Sequence, residues 1–326
     1  MVDTNQARRL VIMGTGGTIA GRAAQVADNV GYVAAQVGVA DLVAAIPALA
    51  GPGLEVEQVA QVDSKDMGLA VWQALTRRLV FHLERPEVAA VVVTHGTDTL
   101  EETAFVLQRV LQPAKPVVLT CAMRPASALV PDGPQNLSDA VAVARQTREG
   151  GVFVVCAGQV HGALEVAKVH TYRLDAFDSG EAGPIACVEE GWVRRFRVET
   201  PASGGVARDE PMLSRFLAAP DLPRVELVTS HADAGGDLVR ALVAQEDSGA
   251  SRPLRGIVVA GTGNGSVHEA LIAALNEAQA RGVQVVLSSR CAQGRVVPHE
   301  GLAFDHSAGL APVKARLALA LELLGR

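Results

Sequence analysis

The sequence predicts an α/β fold. A large N-terminal domain is built on a doubly wound, mostly parallel sheet, and a smaller C-terminal α/β domain follows it. Three observations carry this reading. Short β-branched runs bounded by Gly or Pro, without polar alternation, lie at 9–13, 88–94, 116–121, 151–156, 224–229, 256–260 and 283–288. Runs of that kind fit strands buried on both faces. Helical periods separate them, and strand–helix alternation implies a parallel sheet with helices on its faces. The 326 residues suggest two domains, at roughly 150 residues each.

The elements follow in order. The first strand runs into a glycine-rich turn, Gly-Thr-Gly-Gly-Thr-Ile-Ala-Gly (14–21). A helix carrying Trp72 follows the turn at 63–67. Leu100, Ala104, Leu107 and Leu111 mark one face of the helix after the 88–94 strand. Beyond Cys156 the pattern shortens, and 165–198 predicts a hairpin or irregular strands. The stretch 200–223 holds Pro201, Ser203, Gly204, Gly205, Pro211, Pro220 and Pro223 and reads as a linker. A second strand–helix series starts at Arg224. Val267, Leu271, Ala274 and Ala278 share a helix face, as do Val313, Leu317, Leu321 and Leu324. Pro312 suits the first turn of that last helix. The expected domains are 1–199 and 224–326, joined by the linker 200–223.

Composition narrows the function. Hydrophobic residues make up 49% and charged residues 20%, as in a soluble globular protein. A net charge of -6 argues against nucleic acid as partner, because displacing counterions needs a basic face. Aromatics at 3% are too few for base-stacking platforms. Cys121, Cys156, Cys187 and Cys291 form no CxxC pair and no zinc spacing, so each reads as a small apolar residue. Apolar runs are too short for a membrane span, and residues 1–10 lack a signal-peptide core, which gives a cytoplasmic expectation.

Four turns hold chemistry. The first places a hydroxyl, Thr18, among glycines at the end of the first strand, where open α/β sheets bind ligands. It fails both the dinucleotide and the phosphate-loop patterns. Two readings stay open: a plain tight turn, or a nucleophile beside an oxyanion hole. The second turn is Thr-His-Gly-Thr-Asp-Thr-Leu-Glu-Glu-Thr (94–103). Helix capping by Asp98 or Thr99 explains Asp98, Glu101 and Glu102, but not Thr-His-Gly-Thr in one turn. His95 alone reads as a structural histidine. The third turn is Asp-Ser-Lys-Asp-Met (63–67), with a serine cap as its plain reading. The fourth is Cys-Ala-Met-Arg-Pro (121–125) followed by Asp-Gly-Pro-Gln-Asn-Leu (132–137), a strand end and a turn. Serine-hydrolase and zinc-peptidase patterns are absent from the sequence.

Together with Gly-Thr-Gly-Asn-Gly (261–265), these motifs in this order closely resemble the bacterial-type L-asparaginase and asparaginase/glutaminase family over essentially the whole chain. The resemblance implies hydrolysis of the side-chain amide of L-asparagine, and in some members L-glutamine, without metal or organic cofactor. It implies a homodimer or homotetramer whose sites are shared between subunits. Thr18 matches the nucleophile, Tyr32 the lid tyrosine that activates it, and Ser64 the serine holding the substrate α-carboxylate. Thr97, Asp98 and Lys168 match a second triad, with Asp98 also binding the substrate ammonium. Backbone near Ala122 matches the place where leaving ammonia is stabilised. Asn264 matches a residue donated across the subunit interface. N–H groups around Gly17 and Thr97 suit the developing oxyanion.

Two departures stand out. Lys65 occupies a position that usually holds Gln or Glu in that family and contacts the ammonium. Two like charges about 4 Å apart repel by roughly 4 kcal/mol at an effective dielectric near 20, so either Lys65 turns away or the ammonium is held differently. Glu300 is the candidate for a glutamate reaching the neighbour's site, in a shorter stretch. The 21–31 segment reads as a lid. The leading expectation is an L-asparaginase working through a threonine acyl-enzyme. The alternatives are a dual asparaginase/glutaminase, another small-amide hydrolase, or an amino-acid-binding sensor without turnover. A tRNA-dependent amidotransferase subunit is weakened by a chain that starts almost at the first strand.

Overall fold

The structure, a computed structural model, describes residues 9–51, 53–197, 210–247 and 252–325. The expectations for 1–8 and for the 200–209 part of the linker lie outside the described residues. The chain divides into two compact units, Met1–Leu213 and Ser214–Arg326.

In the first unit β1 (Arg9–Gly16), β2 (Leu54–Val62), β3 (Val88–Thr94), β4 (Pro116–Thr120) and β5 (Gly151–Cys156) run parallel in the order 2-1-3-4-5. β6 (Gln159–Gly162), β9 (Ala186–Glu189) and β10 (Trp192–Arg195) extend the sheet antiparallel beyond β5. β7 (Ala167–Lys168) and β8 (Phe177–Asp178) form a separate two-stranded ribbon. The short hairpins expected over 165–198 are these pieces. The crossover helices are α1 (Val39–Ala44), α2 (Leu69–Glu84), α3 (Leu100–Leu111) and α4 (Gly133–Gln146).

Strand alternation decides which helix covers which face. Leu10, Ile12, Ala90, Val92 and Val118 pack with Val39 and Val43 of α1 and with Leu137, Ala140 and Val141 of α4. Val11, Val91 and Val93 point the other way and are fully buried as well, beneath α2 and α3. Trp72 of α2 donates its indole N–H to Thr103 of α3 at 2.8 Å, locking that pair together.

β2 is missing from the strands expected from sequence. It is the edge strand, and Glu55 and Glu57 interrupt its apolar residues. Those glutamates pair with Arg85 and Arg78, the charged dressing that edge strands carry. The 132–137 turn is also more than a turn. It opens α4, with Pro134 in the first helical positions.

The second unit has a parallel sheet of β11 (Arg224–Thr229), β12 (Leu254–Gly261), β13 (Gln284–Ser289) and β14 (Asp305–His306). α6 (Asp237–Asp247) and α7 (Glu269–Ala280) cover one face, α8 (Pro312–Leu323) the other. Val267 falls just before α7, whose N-cap is His268. The segment read as a linker carries a helix, α5 (Glu210–Ala218). Leu213 and Phe216 there are one helical turn apart and buried, and that apolar pair outweighs the flanking prolines.

Candidate active site

The parallel strand order 2-1-3-4-5 reverses direction between β1 and β3. Chain connections leave that point in opposite directions, so a crevice opens at the carboxyl ends of these two strands. Thr15 marks the seam by donating its hydroxyl to the Thr94 carbonyl at 2.9 Å. The first and second of the four turns start there.

After β1, Gly16 and Gly17 take φ of 105° and 81°, a region that excludes most side chains. A Cβ on Gly17 would lie 2.2 Å from Gly96 Cα, so the two turns touch backbone to backbone. Thr18 begins a single helical turn, Thr18–Ala20, and is 6% exposed. Its Oγ1 is hydrogen-bonded to the Tyr32 hydroxyl at 2.6 Å. The Tyr32 ring lies against Gly21, where a Cβ would meet it at 2.8 Å. Burial holds the Tyr32 hydroxyl above its ordinary pKa; the charges of Asp98 and Asp63 push the same way, and the Thr18 hydrogen bond opposes them.

After β3, Lys168 Nζ donates to Thr97 Oγ1 at 2.8 Å and pairs with Asp98 Oδ1 at 2.7 Å. Thr97 reaches the same carboxylate at 3.4 Å. Ser64 Oγ accepts the Asp98 N–H at 3.2 Å, and the Ser64 carbonyl accepts the Thr99 hydroxyl at 2.7 Å. Neither side chain therefore caps α3: Thr99 stands at the N-cap position but makes no side-chain cap bond. In the third turn Asp63, not the serine, caps, accepting the Lys65 N–H.

His95 is fully buried and wired on both ring nitrogens. Nδ1 donates to the Gly96 carbonyl at 2.7 Å, and Nε2 accepts from Thr103 at 2.9 Å. Thr103 itself accepts from Trp72, so its own proton is available to the ring. This requires a neutral imidazole. Burial agrees, lowering the His95 pKa to about 4. The structural reading of His95 holds.

The wall beyond β4 is built by the Asp-Gly-Pro-Gln-Asn motif. Asp132 accepts the N–H groups of Met123 and Arg124 at 2.9 and 3.0 Å. Asn136 donates to the Cys121 carbonyl at 2.9 Å and accepts from Ala157 at 3.0 Å. These residues clamp the backbone on either side of Ala122, whose side chain is fully buried.

The arrangement revises several expectations. The Gly17 N–H is not available to an oxyanion, because it donates to the Val62 carbonyl at 2.9 Å. Among the described residues no group accepts from the N–H of Thr18 or Thr97. Lys65 turns its exposed ammonium onto Asp66, the first of the two options its charge allowed. Asn264, in the second unit, has both ends of its amide on one backbone residue: Nδ2 donates to the Val297 carbonyl at 3.0 Å and Oδ1 accepts the Val297 N–H at 2.6 Å. Glu300 is exposed in the same segment. Sequence reasoning missed Glu101, taken only as a first-turn charge. Its carboxylate accepts the backbone N–H of Lys168 and so fixes β7 beside α3. Its signal was that an acidic residue sat one turn beyond Asp98, on the helix leaving the same turn.

Comparison with known proteins identifies the family. Residues 9–200 match the asparaginase N-terminal family, and 224–324 the glutaminase/asparaginase C-terminal domain. A glutaminase-asparaginase of Pseudomonas fluorescens biotype A is 35% identical, the alignment covering 96% of this chain and 86% of that one. L-asparaginase 2 of Escherichia coli (strain K12) is also 35% identical, over 96% of this chain and 88% of its own. A crystal structure of a probable cytoplasmic L-asparaginase from Campylobacter jejuni superposes with a TM-score of 0.83 at 33% identity, covering 98% of this chain and 95% of that one. With both domain families present in order, and a threonine and a Thr–Lys–Asp cluster standing at its switch point, the chain belongs to the bacterial-type asparaginase family.

Proposed function

We propose that this protein is an L-asparaginase that converts L-asparagine to L-aspartate and ammonia through an ester on Thr18. The observation carrying this is the 2.6 Å contact between Thr18 and Tyr32, next to the Thr97–Lys168–Asp98 cluster. A threonine hydroxyl is a weak nucleophile until something takes its proton. Tyr32, held above its ordinary pKa, stays a neutral phenol at working pH. It accepts the Thr18 proton only as it passes its own onward. The amide nitrogen needs a proton to leave as ammonia, so the proton Thr18 gives up is the one the leaving group requires.

Thr18 Oγ1 adds to the amide carbon, and the carbonyl oxygen takes the negative charge. The unengaged N–H groups of Thr18 and Thr97 suit that oxygen, and losing one such donor costs about 3 kcal/mol. The C–N bond breaks, ammonia leaves along the Ala122 wall and an aspartyl ester remains. Water then adds to the ester, gives its proton back to Thr18, and frees aspartate. Substrate is a zwitterion. The Ser64 hydroxyl, which accepts from Asp98, keeps its own proton for the α-carboxylate. Asp98, with its side chain 53% exposed, offers its second oxygen to the α-ammonium.

Ammonia release by the purified protein from L-asparagine and L-glutamine tests this, with Thr18→Ala alongside. Turnover of asparagine that falls by about 10⁴ or more in the variant supports the reading. Turnover that survives overturns it. The Pseudomonas relative favours a second reading, a dual asparaginase/glutaminase, which a comparable glutamine rate selects. We further place the protein in the cytoplasm, as a homodimer or homotetramer with shared sites. Its four cysteines are free thiols, which suits a reducing compartment.

A further inference from the structure

The lid that carries Tyr32 is held by a segment with no chemical role so far. Residues 22–33 leave the Thr18 turn and return to it. An antiparallel bridge closes the base, Arg22 N–H to the Val33 carbonyl at 2.9 Å and Val33 N–H to the Arg22 carbonyl at 2.8 Å. Asp28 organises the tip by accepting the N–H groups of Val30 and Gly31 at 2.9 and 2.7 Å. The returning limb is bonded to the nucleophile turn, Ala35 N–H to Gly17 and Val37 N–H to Ala20, at 3.0 and 2.9 Å.

The outgoing limb leans on a different support, the strap 126–129. Ala126 donates to the Gly21 carbonyl at 3.0 Å, and Leu129 donates to the Val26 carbonyl at 3.2 Å. Between these two backbone bonds the Ala23 N–H donates to the Ser127 hydroxyl at 2.8 Å. The strap is continuous with the Ala122 wall and anchored at both ends. Asp132 holds Met123 and Arg124, and Asn136 holds Cys121. Val26, Val30 and Val33 of the lid are exposed, so few buried side chains hold it closed.

We propose that Ser127 is a positioning residue for Tyr32, latching the outgoing limb of the lid to the strap that continues the Ala122 wall. The inference rests on the assignment of Thr18 as nucleophile. It means that the Thr18–Tyr32 contact and the Ala122 wall are set by one piece of backbone. A lid with little buried surface is sensitive to single hydrogen bonds, and one net bond is worth about fivefold in population.

The test compares Ser127→Ala and Ser127→Thr in the full-length protein. Hydrogen exchange at the Ala23 and Val33 amides is read beside kcat and KM for asparagine, in wild-type and Tyr32→Phe backgrounds. Ser127→Ala is expected to speed Ala23 exchange about fivefold and to lower kcat/KM by a similar factor. Ser127→Thr, which keeps the hydroxyl, restores both. In Tyr32→Phe the Ser127→Ala change costs no further activity, because it acts through Tyr32. Unchanged Ala23 exchange overturns the proposal, and so does a full additional loss in the Tyr32→Phe background. A Thr18→Ala variant that keeps turnover sinks the nucleophile assignment instead, and leaves the exchange measurement to decide the latch.

Discussion

Gly17 sits where two turns meet without room for a methyl group. Gly17→Ala combines a forbidden φ of 81° with a Cβ 2.2 Å from Gly96 Cα. It is expected to destabilise by about 3 kcal/mol or more, read as a fall in thermal midpoint together with loss of activity. His95 sets a pH dependence. Its pKa falls from the ordinary 6.5 to about 4 in the folded chain, so the unfolded chain binds a proton that the folded one refuses. Stability from this residue is complete above pH 6.5 and lost as pH falls towards 4, about 3 kcal/mol in all. His161 is lowered to about 4 by burial and acts in the same direction. Denaturant midpoints measured at pH 7.5, 6 and 5 show that decline, and His95→Gln makes it shallower, leaving the His161 share. At this scale the sequence was legible where a residue type has few uses. Thr18 meets Tyr32, Lys168 meets Thr97 and Asp98, and Ser64 bonds to Asp98, all residues that the resemblance singled out. It was illegible where side-chain direction decides the role. Whether Lys65 faces Asp98 or Asp66, and whether the amide of Asn264 faces outward or Val297, depends on neighbours that no motif names.

Among the elements, the strands read most plainly were those buried on both faces, because an uninterrupted β-branched run suits a sheet interior and little else. β2 escaped because an edge strand alternates polar and apolar residues. α5 escaped because its helical face is two residues, Leu213 and Phe216, set among prolines. α4 was hidden by its own start, since Asp-Gly-Pro signals a turn and a helix N-terminus alike. The Asp132 carboxylate is what turns this helix start into a clamp. Asp132→Ala removes two charge-assisted bonds to Met123 and Arg124. A loss of about 3 kcal/mol in stability is expected, with slower ammonia release because the Ala122 wall is no longer fixed. Asp132→Asn keeps one acceptor and should fall between the two.

For the whole molecule, the first unit is a doubly wound sheet and the second a parallel sheet in sequence order, and each presents turns at the carboxyl ends of its strands. In the first unit these ends carry Thr18, Thr97 and Asp98; in the second they carry the 262–266 turn, where Thr262 and Ser266 bridge and Asn264 pegs Val297. The proposed sharing of sites between subunits would make assembly a condition of activity. Specific activity is then expected to fall on dilution in step with dissociation followed by light scattering. Activity that stays constant through dissociation argues for sites complete within one chain.

The wiring from Trp72 through Thr103 and His95 to Gly96 also has an optical side. The chain has two tryptophans. Trp192 is 75% exposed on the outermost strand, open to a collisional quencher, while Trp72 is 5% exposed and shielded from it. Emission that survives acrylamide therefore comes from an indole whose N–H is linked, hydrogen bond by hydrogen bond, to the backbone touching Gly17. A shift of that emission on adding L-aspartate is the expected sign that a ligand moves this turn, and it needs no label.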